Sequence, residues 1–195
     1  MTLRLITAPA AEPITLAEAK LHLRVSGNSE DTLITTLIGA ARRMCEARTD
    51  RALITQTWEA TLDAWPDDAG AVELARPPVQ SVTQVQYVPS GATALTTLAG
   101  SAYTLDAISD SRAGWLLPVT SWPTTADLAN AVRVQFVAGY GAAGTAVPED
   151  LRAWLLLAIG TLYANRESID STGRTTELPG RFWDSLLDPY RNYTL

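Results

Sequence analysis

The chain has 195 residues, 47 % of them apolar and 18 % charged, and a net charge of -6 from 15 Lys and Arg against 21 Asp and Glu. A chain of this length buries roughly 70 % of its unfolded surface, enough for a core in one domain or two small ones, and its composition excludes disorder as the dominant state. The acidic balance excludes a protein that grips nucleic acid by its phosphates, and the longest apolar run, around Trp154 to Ile159, falls far short of the ~20 residues of a membrane span.

The first residues, Met1 to Ile6, lack a long apolar stretch with a cleavage site, so export is not expected and synthesis in the cytoplasm is. Pro13-Ile14-Thr15-Leu16-Ala17-Glu18 opens the first helix: the Thr15 hydroxyl can accept from the third helical amide while Glu18 reaches back to the Thr15 amide. This helix is short and stops near Ser26-Gly27-Asn28, residues that tolerate a left-handed backbone. A second helix is expected from Ser29 or Glu30 to about Thr49. Leu33, Leu37, Ala41 and Met44 recur on its apolar side beside Ile34, Ile38 and Cys45, and Arg42, Arg43, Glu46 and Arg48 occupy the other side.

At Leu53 the period changes to two, and Ile54, Gln56, Trp58, Ala60 and Leu62 alternate with Thr55, Thr57, Glu59, Thr61 and Asp63 as in a half-buried strand. Short strands are expected at 71–74, 82–88, 102–105, 114–117 and 131–138, separated by Pro66-Asp67-Asp68, Pro77-Pro78, Pro89-Ser90-Gly91 and Trp122-Pro123. Helical period returns after Gly144. Pro148 suits a first helical position, Glu149 and Asp150 favour the positive end of the dipole, and Leu151, Trp154, Leu155, Ala158 and Leu162 form the core stripe of a helix to about Arg166. Ser168 to Leu178 is polar and reads as a loop that only a partner would order. A last helix is expected from Pro179 to before Pro189, followed by the tail Tyr190 to Leu195.

Gly139-Tyr140-Gly141-Ala142-Ala143-Gly144 spells G-x-G-x-x-G, the phosphate-cradling turn of dinucleotide folds. A strand precedes it, but the next helix starts too late to aim its N-terminus at a pyrophosphate, and no second strand with a terminal acid follows. The glycines therefore read as a flexible exit from the sheet. His22, the single histidine, has no second histidine or cysteine at ligand spacing, so no metal site is expected. Cys45, the single cysteine, excludes an internal disulfide, fits a reducing compartment and lies on an apolar stripe, the setting of a small buried hydrophobe rather than a nucleophile. No serine sits in a G-x-S-x-G elbow, and Asp67-Asp68 and Glu149-Asp150 are explained as turn and helix-start residues. Trp58 and Trp154 read as core. Trp183, Tyr190 and Tyr193 outnumber what one small helix can cover, which points to packing on a partner.

Taken in order, "EPITLAEAKLHLRV", "DTLITTLIGAARRMCEARTDRAL", "QTWEATLDAWP", "PPVQSVTQVQYV", "VRVQFVAGYG" and "VPEDLRAWLLLAIGTLYANRE" resemble the head-to-tail connector, or adaptor, family of tailed bacteriophages, prophages and gene transfer agents, over nearly the whole chain. The resemblance implies an α+β chain: a bundle of about four helices, two from residues 1–52 and two from 141–195 with the tail, and an inserted antiparallel, barrel-like sheet at 53–140. It implies a structural protein with no catalytic residues, cofactor or metal. Its subunits would form a ring, expected to be dodecameric, that sits beneath the portal protein in the particle neck and receives the next neck, stopper or tail protein. The ring would extend a channel through which double-stranded DNA passes unbound, a role the acidic charge suits. Phe182, Trp183, Tyr190, Arg191, Tyr193 and Leu195 are the expected portal-docking residues, and Arg42, Arg43, Arg48 and Arg51 the expected subunit contacts. Other readings are a different neck or tail-completion protein and a small nucleotide-binding enzyme.

Overall fold

A computed structural model of the chain describes residues 1–107, 113–165 and 183–191. Its elements fall into two compact units. The first comprises residues 1–10 and 55–140, the second 11–54 and 141–195.

The first unit is all sheet. Strands β1 (Thr2–Thr7), β2 (Gln56–Leu62), β4 (Val79–Tyr87), β5 (Thr96–Thr97) and β8 (Val132–Ala138) form an antiparallel sheet in the order β1-β2-β8-β4-β5. Strands β3 (Val72–Leu74), β6 (Tyr103–Asp106) and β7 (Gly114–Pro118) form a second sheet in the order β3-β7-β6. On the central β8 every second residue, Val132, Val134, Phe136 and Ala138, is buried. This alternation makes one side of β8 a core face. Trp65 stacks on Trp122 with centroids 4.2 Å apart and planes 4° from parallel, and the Trp122 indole N–H donates to the Gly70 carbonyl at 2.8 Å. Across β1, β2 and β8, Arg4, Glu59 and Gln135 stand in register, and Arg4 (2.8 Å) and Gln135 (3.0 Å) each donate to one oxygen of the Glu59 carboxylate. Burial raises the Glu59 pKa, but the bonds from Gln135 and Arg4 outweigh it and leave the pKa below its ordinary value of 4.5. A depressed carboxylate contributes stability in full above that ordinary value and loses it as pH falls through the lowered native one. Glu59→Gln should therefore cost about 1 kcal/mol at pH 7 and flatten the fall in urea midpoint below pH 4.5.

The second unit holds the helices α1 (Leu16–Leu23), α2 (Asp31–Thr49) and α3 (Glu149–Ala164). The expected capping box is present: the Glu18 amide donates to Thr15 Oγ1 at 3.2 Å and the Thr15 amide to Glu18 Oε2 at 2.8 Å. The hydrogen bonds from Thr15 hold the Glu18 pKa below its ordinary value. Both α1 and α2 end on a left-handed residue, Arg24 (φ 58°) and Asp50 (φ 54°). The three helices pack through Ala19, Ile34, Ile38, Ala41, Cys45, Leu151, Trp154, Leu155, Ala158 and Ile159, all buried.

The bundle of about four helices is overturned, although the α+β class holds. Among the described residues there are three α-helices against eight strands, and the strands form two open sheets rather than a barrel. For the helix expected from Pro179, residues 179–182 lie outside the described part. Trp183 and Asp184 are helical, but the amides of Leu186, Leu187 and Asp188 each donate to the carbonyl three residues back, and the chain continues as a 3-10 turn over Asp188–Tyr190. Pro189 has no N–H to extend a helical ladder, so the tighter turn prevails. The polar stretch Ser168 to Leu178 also lies outside the described residues. Strand β1 has no counterpart in the sequence reading: it is an edge strand, exposed along most of its length, and so lacks a buried face to imprint a period.

The glycine-rich exit after β8 has a geometric explanation. Gly139 adopts φ 129°, open only to glycine at low cost, and its amide donates to the Pro78 carbonyl at 2.9 Å. Gly144 opens a 3-10 turn, and a Cβ there would collide with the backbone carbonyl of Pro13. Arg152 Nη1 ties the two strands of chain together, donating to the carbonyls of Pro13 (2.7 Å) and Gly144 (2.8 Å). The third glycine of the spelled motif thus serves a close backbone approach, not a phosphate. Gly144→Ala should lower stability by about 2 kcal/mol, the cost of overpacking against an immobile backbone. A urea titration checks this, and an unchanged midpoint would show that the Pro13 segment yields freely.

Candidate assembly surfaces

Trp183, one of the expected docking residues, stacks on the fully buried Trp154, with centroids 5.1 Å apart and planes at 21°. The next residue, Asp184, accepts from the Trp154 indole N–H at 3.3 Å and forms an ion pair with Arg48. The Arg48 guanidinium lies over both rings, 5.5 Å from Trp154 and 5.9 Å from Trp183. Leu187, in the same segment, is fully buried. Tyr190 is held at both ends of its residue. Its carbonyl accepts from Arg51 Nε at 2.5 Å, the Arg51 guanidinium sits 5.8 Å from its ring, and its hydroxyl donates to Asp150 at 3.4 Å. Burial and the Asp150 charge push the Tyr190 pKa up. Arg191 pairs with Asp188 at 3.5 Å. Phe182, Tyr193 and Leu195 lie outside the described residues.

The four arginines expected to meet a second subunit are not equivalent. Arg42 is embedded between Glu12 and Glu46, donating to each at 2.8 Å; burial works against its charge, but the two carboxylates outweigh this and raise its pKa. The other Glu46 oxygen accepts from the Leu53 amide at 3.1 Å, which anchors the chain leaving α2. Arg48 and Arg51 hold the C-terminal segment as described, and Arg51 is only 1 % exposed. Arg43 is exposed and points no donor at a carboxylate among the described residues. Its neighbours on that side of α2 are small: Thr36 and Ala47 are exposed and Ala40 half-buried.

Sequence reasoning missed the carboxylates that organise this unit, Glu12, Asp184 and Asp150, because each is remote in sequence from its partner. A signal existed only for Glu46, four residues after Arg42 on the same helix side.

Cys45 is fully buried, and burial pushes its thiol up to about 12, so it stays protonated and inert at neutral pH. Among the described residues no three His, Cys, Asp or Glu side chains gather as metal ligands. No helix among them is long and apolar enough to cross a membrane.

Residues 13–104, a little under half of the chain, match the family model of the phage gp6-like head-tail connector protein. Among curated proteins, none matches. Three solved structures share the fold over 100 % of this chain and 97 % of theirs. They are the neck of an empty gene transfer agent (GTA) particle computed with C6 symmetry (24 % identity, TM-score 0.81), the virion of a native GTA particle (25 %, 0.80) and the neck of a native GTA particle computed with C12 symmetry (24 %, 0.79). Over residues 13–104 the chain is thus similar to the phage gp6-like head-tail connector protein, and from end to end it shares its fold with chains of gene-transfer-agent particles.

Proposed function

We propose that the protein is a structural subunit of the neck of a phage or gene-transfer-agent particle. Twelve copies close into a ring beneath the portal, extend the DNA channel and present a platform to the next neck or tail protein. The observation that carries this reading is the full-length likeness to a chain of a GTA neck computed with C12 symmetry. The net charge of -6 supports a conduit that lets DNA pass without holding it. A buried, protonated Cys45 and glycines explained by backbone packing favour assembly over chemistry.

The C-terminal end, from Phe182 to Leu195, docks on the portal in this reading. Trp183 and Tyr190 are committed to the protein's own helices, so they set the direction of the segment, and Arg191 and the residues after it make the contact. Among the arginines of α2, Arg43 is the exposed one with no ion pair among the described residues, and it meets a neighbouring subunit in this reading.

The test mixes purified protein with its portal and follows assembly by mass photometry and negative-stain microscopy. Closed rings of twelve on the portal are the expected result. Protein that stays monomeric and leaves the portal bare would end the reading, and binding to tail tubes alone would reassign it to a different neck position.

A further inference from the structure

One face of the three-stranded sheet carries an exposed apolar strip. On the central strand β7, Trp115 and Leu117 point outward, 39 % and 38 % exposed, and Val119 continues the line at 59 %. Strand register places a carboxylate on each side of the tryptophan: Glu73 of β3 and Asp106 of β6 both stand directly opposite Trp115, and both are exposed. With strands about 4.8 Å apart, the two carboxylates flank the indole at about 10 Å from one another. An aromatic face between two carboxylates is a receptor for a guanidinium, which can lie on the ring and hydrogen-bond to both sides.

The complementary surface is on the same chain. Along the exposed side of α2, the Thr35 and Thr36 hydroxyls donate back to the carbonyls of Asp31 (2.8 Å) and Thr32 (2.9 Å), so their donors are satisfied within the helix. Arg43 is exposed on this side, its guanidinium lying beside Gly39, and it forms no ion pair among the described residues. One surface is therefore apolar with two carboxylates, and the other is built of small residues around one exposed guanidinium.

We propose that these two surfaces form the contact between neighbouring copies: Arg43 of one copy seats on Trp115 between Glu73 and Asp106 of the next. The proposal rests on the ring reading above and specifies its interface. A ring needs two different, mutually complementary patches on every subunit, and this pair supplies them, whereas a patch reserved for another protein would not need its complement on the same chain. Arginine is also the cation this protein uses, since Lys20 is its single lysine.

The test uses the full-length protein, its portal and four variants: Trp115→Ala, Glu73→Arg with Asp106→Arg, Arg43→Glu, and the last two combined. All the positions are exposed, and thermal unfolding of each variant alone verifies folding; Trp115→Gln replaces any variant that fails. The first three should raise the protein concentration needed for ring closure by about 30-fold or more, as for a central interface anchor. The combined variant, with both charges exchanged, should recover most of the loss. If wild type closes rings and the folded single-surface variants do so equally well, this interface is refuted while the ring stands. Loss in those variants without recovery in the combined one refutes the Arg43 pairing. If wild type closes no rings, the functional reading falls and this contact falls with it.

Discussion

Trp154→Ala should remove about 3–5 kcal/mol of stability, the range for deleting a buried aromatic side chain, and should release the C-terminal segment along with it. Trp154 is fully buried in α3, and three partners depend on it: Trp183 stacks on it, Arg48 lies over it and Asp184 accepts from its indole. Truncation leaves a cavity, strips Trp183 of its platform and withdraws one donor from Asp184. The segment Trp183 to Arg191 has few other anchors, chiefly Leu187, the Arg48 ion pair and the Arg51 bond to Tyr190. Urea unfolding followed by far-UV circular dichroism measures the first effect, and hydrogen exchange of the segment's amides the second. Trp154→Phe keeps an aromatic ring in the stack but loses the indole donor and part of the buried volume, so it should cost less than the alanine change but more than the roughly 1 kcal/mol of the hydrogen bond alone. An alanine variant with wild-type midpoint and protection would show that the stack contributes nothing. The functional consequence follows from the docking proposal: a released segment loses its direction, so the variant should bind portal more weakly even at temperatures where it is folded.

Phe136→Ala should cost a similar amount, about 3–5 kcal/mol, with the damage confined to the sheet unit. Phe136 is fully buried on β8, opposite Trp58 of β2 and Val82 of β4. β8 is hydrogen-bonded to a strand on each side, so the backbone cannot close over the void, and the cavity cost stays near the top of its range. Loss of amide protection should be greatest in β2, β4 and β8. Phe136→Leu retains most of the volume and should cost less than about 1.5 kcal/mol. Equal stability of the alanine variant and wild type would mean that the site collapses, against expectation for a strand paired on both edges.

Much of the architecture can be read directly from local patterns, and the exceptions share a cause. The Thr15–Glu18 cap, the apolar stripes of α2 and α3 and the strands β2 and β8 are found close to where residue order places them, although burial along β2 does not alternate: Glu59 is buried, and Trp58 and Leu62 are half-buried. Each writes its own signature, because a helix or strand with one buried face must repeat apolar residues at its own period. β1 and β5 leave no such signature. The first is a largely exposed edge strand, and the second has two residues, paired with Gln86 and Tyr87. For the helix expected from Pro179, the described residues from Trp183 on form mostly tighter turns, because Pro189 cannot extend a helical ladder.

What the sequence alone determined is the alternation of helical and strand segments, the family resemblance and the side of α2 that carries arginines, since all of these depend on residues within a few positions of one another. Only the tertiary structure decided which of those arginines are paired within the chain. Arg42 meets Glu12 across 30 residues, Arg48 meets Asp184 across 136 and Arg51 meets the Tyr190 carbonyl across 139. A guanidinium pairs with whichever acceptor folding brings within about 3 Å, and spacing along the chain carries no record of that approach.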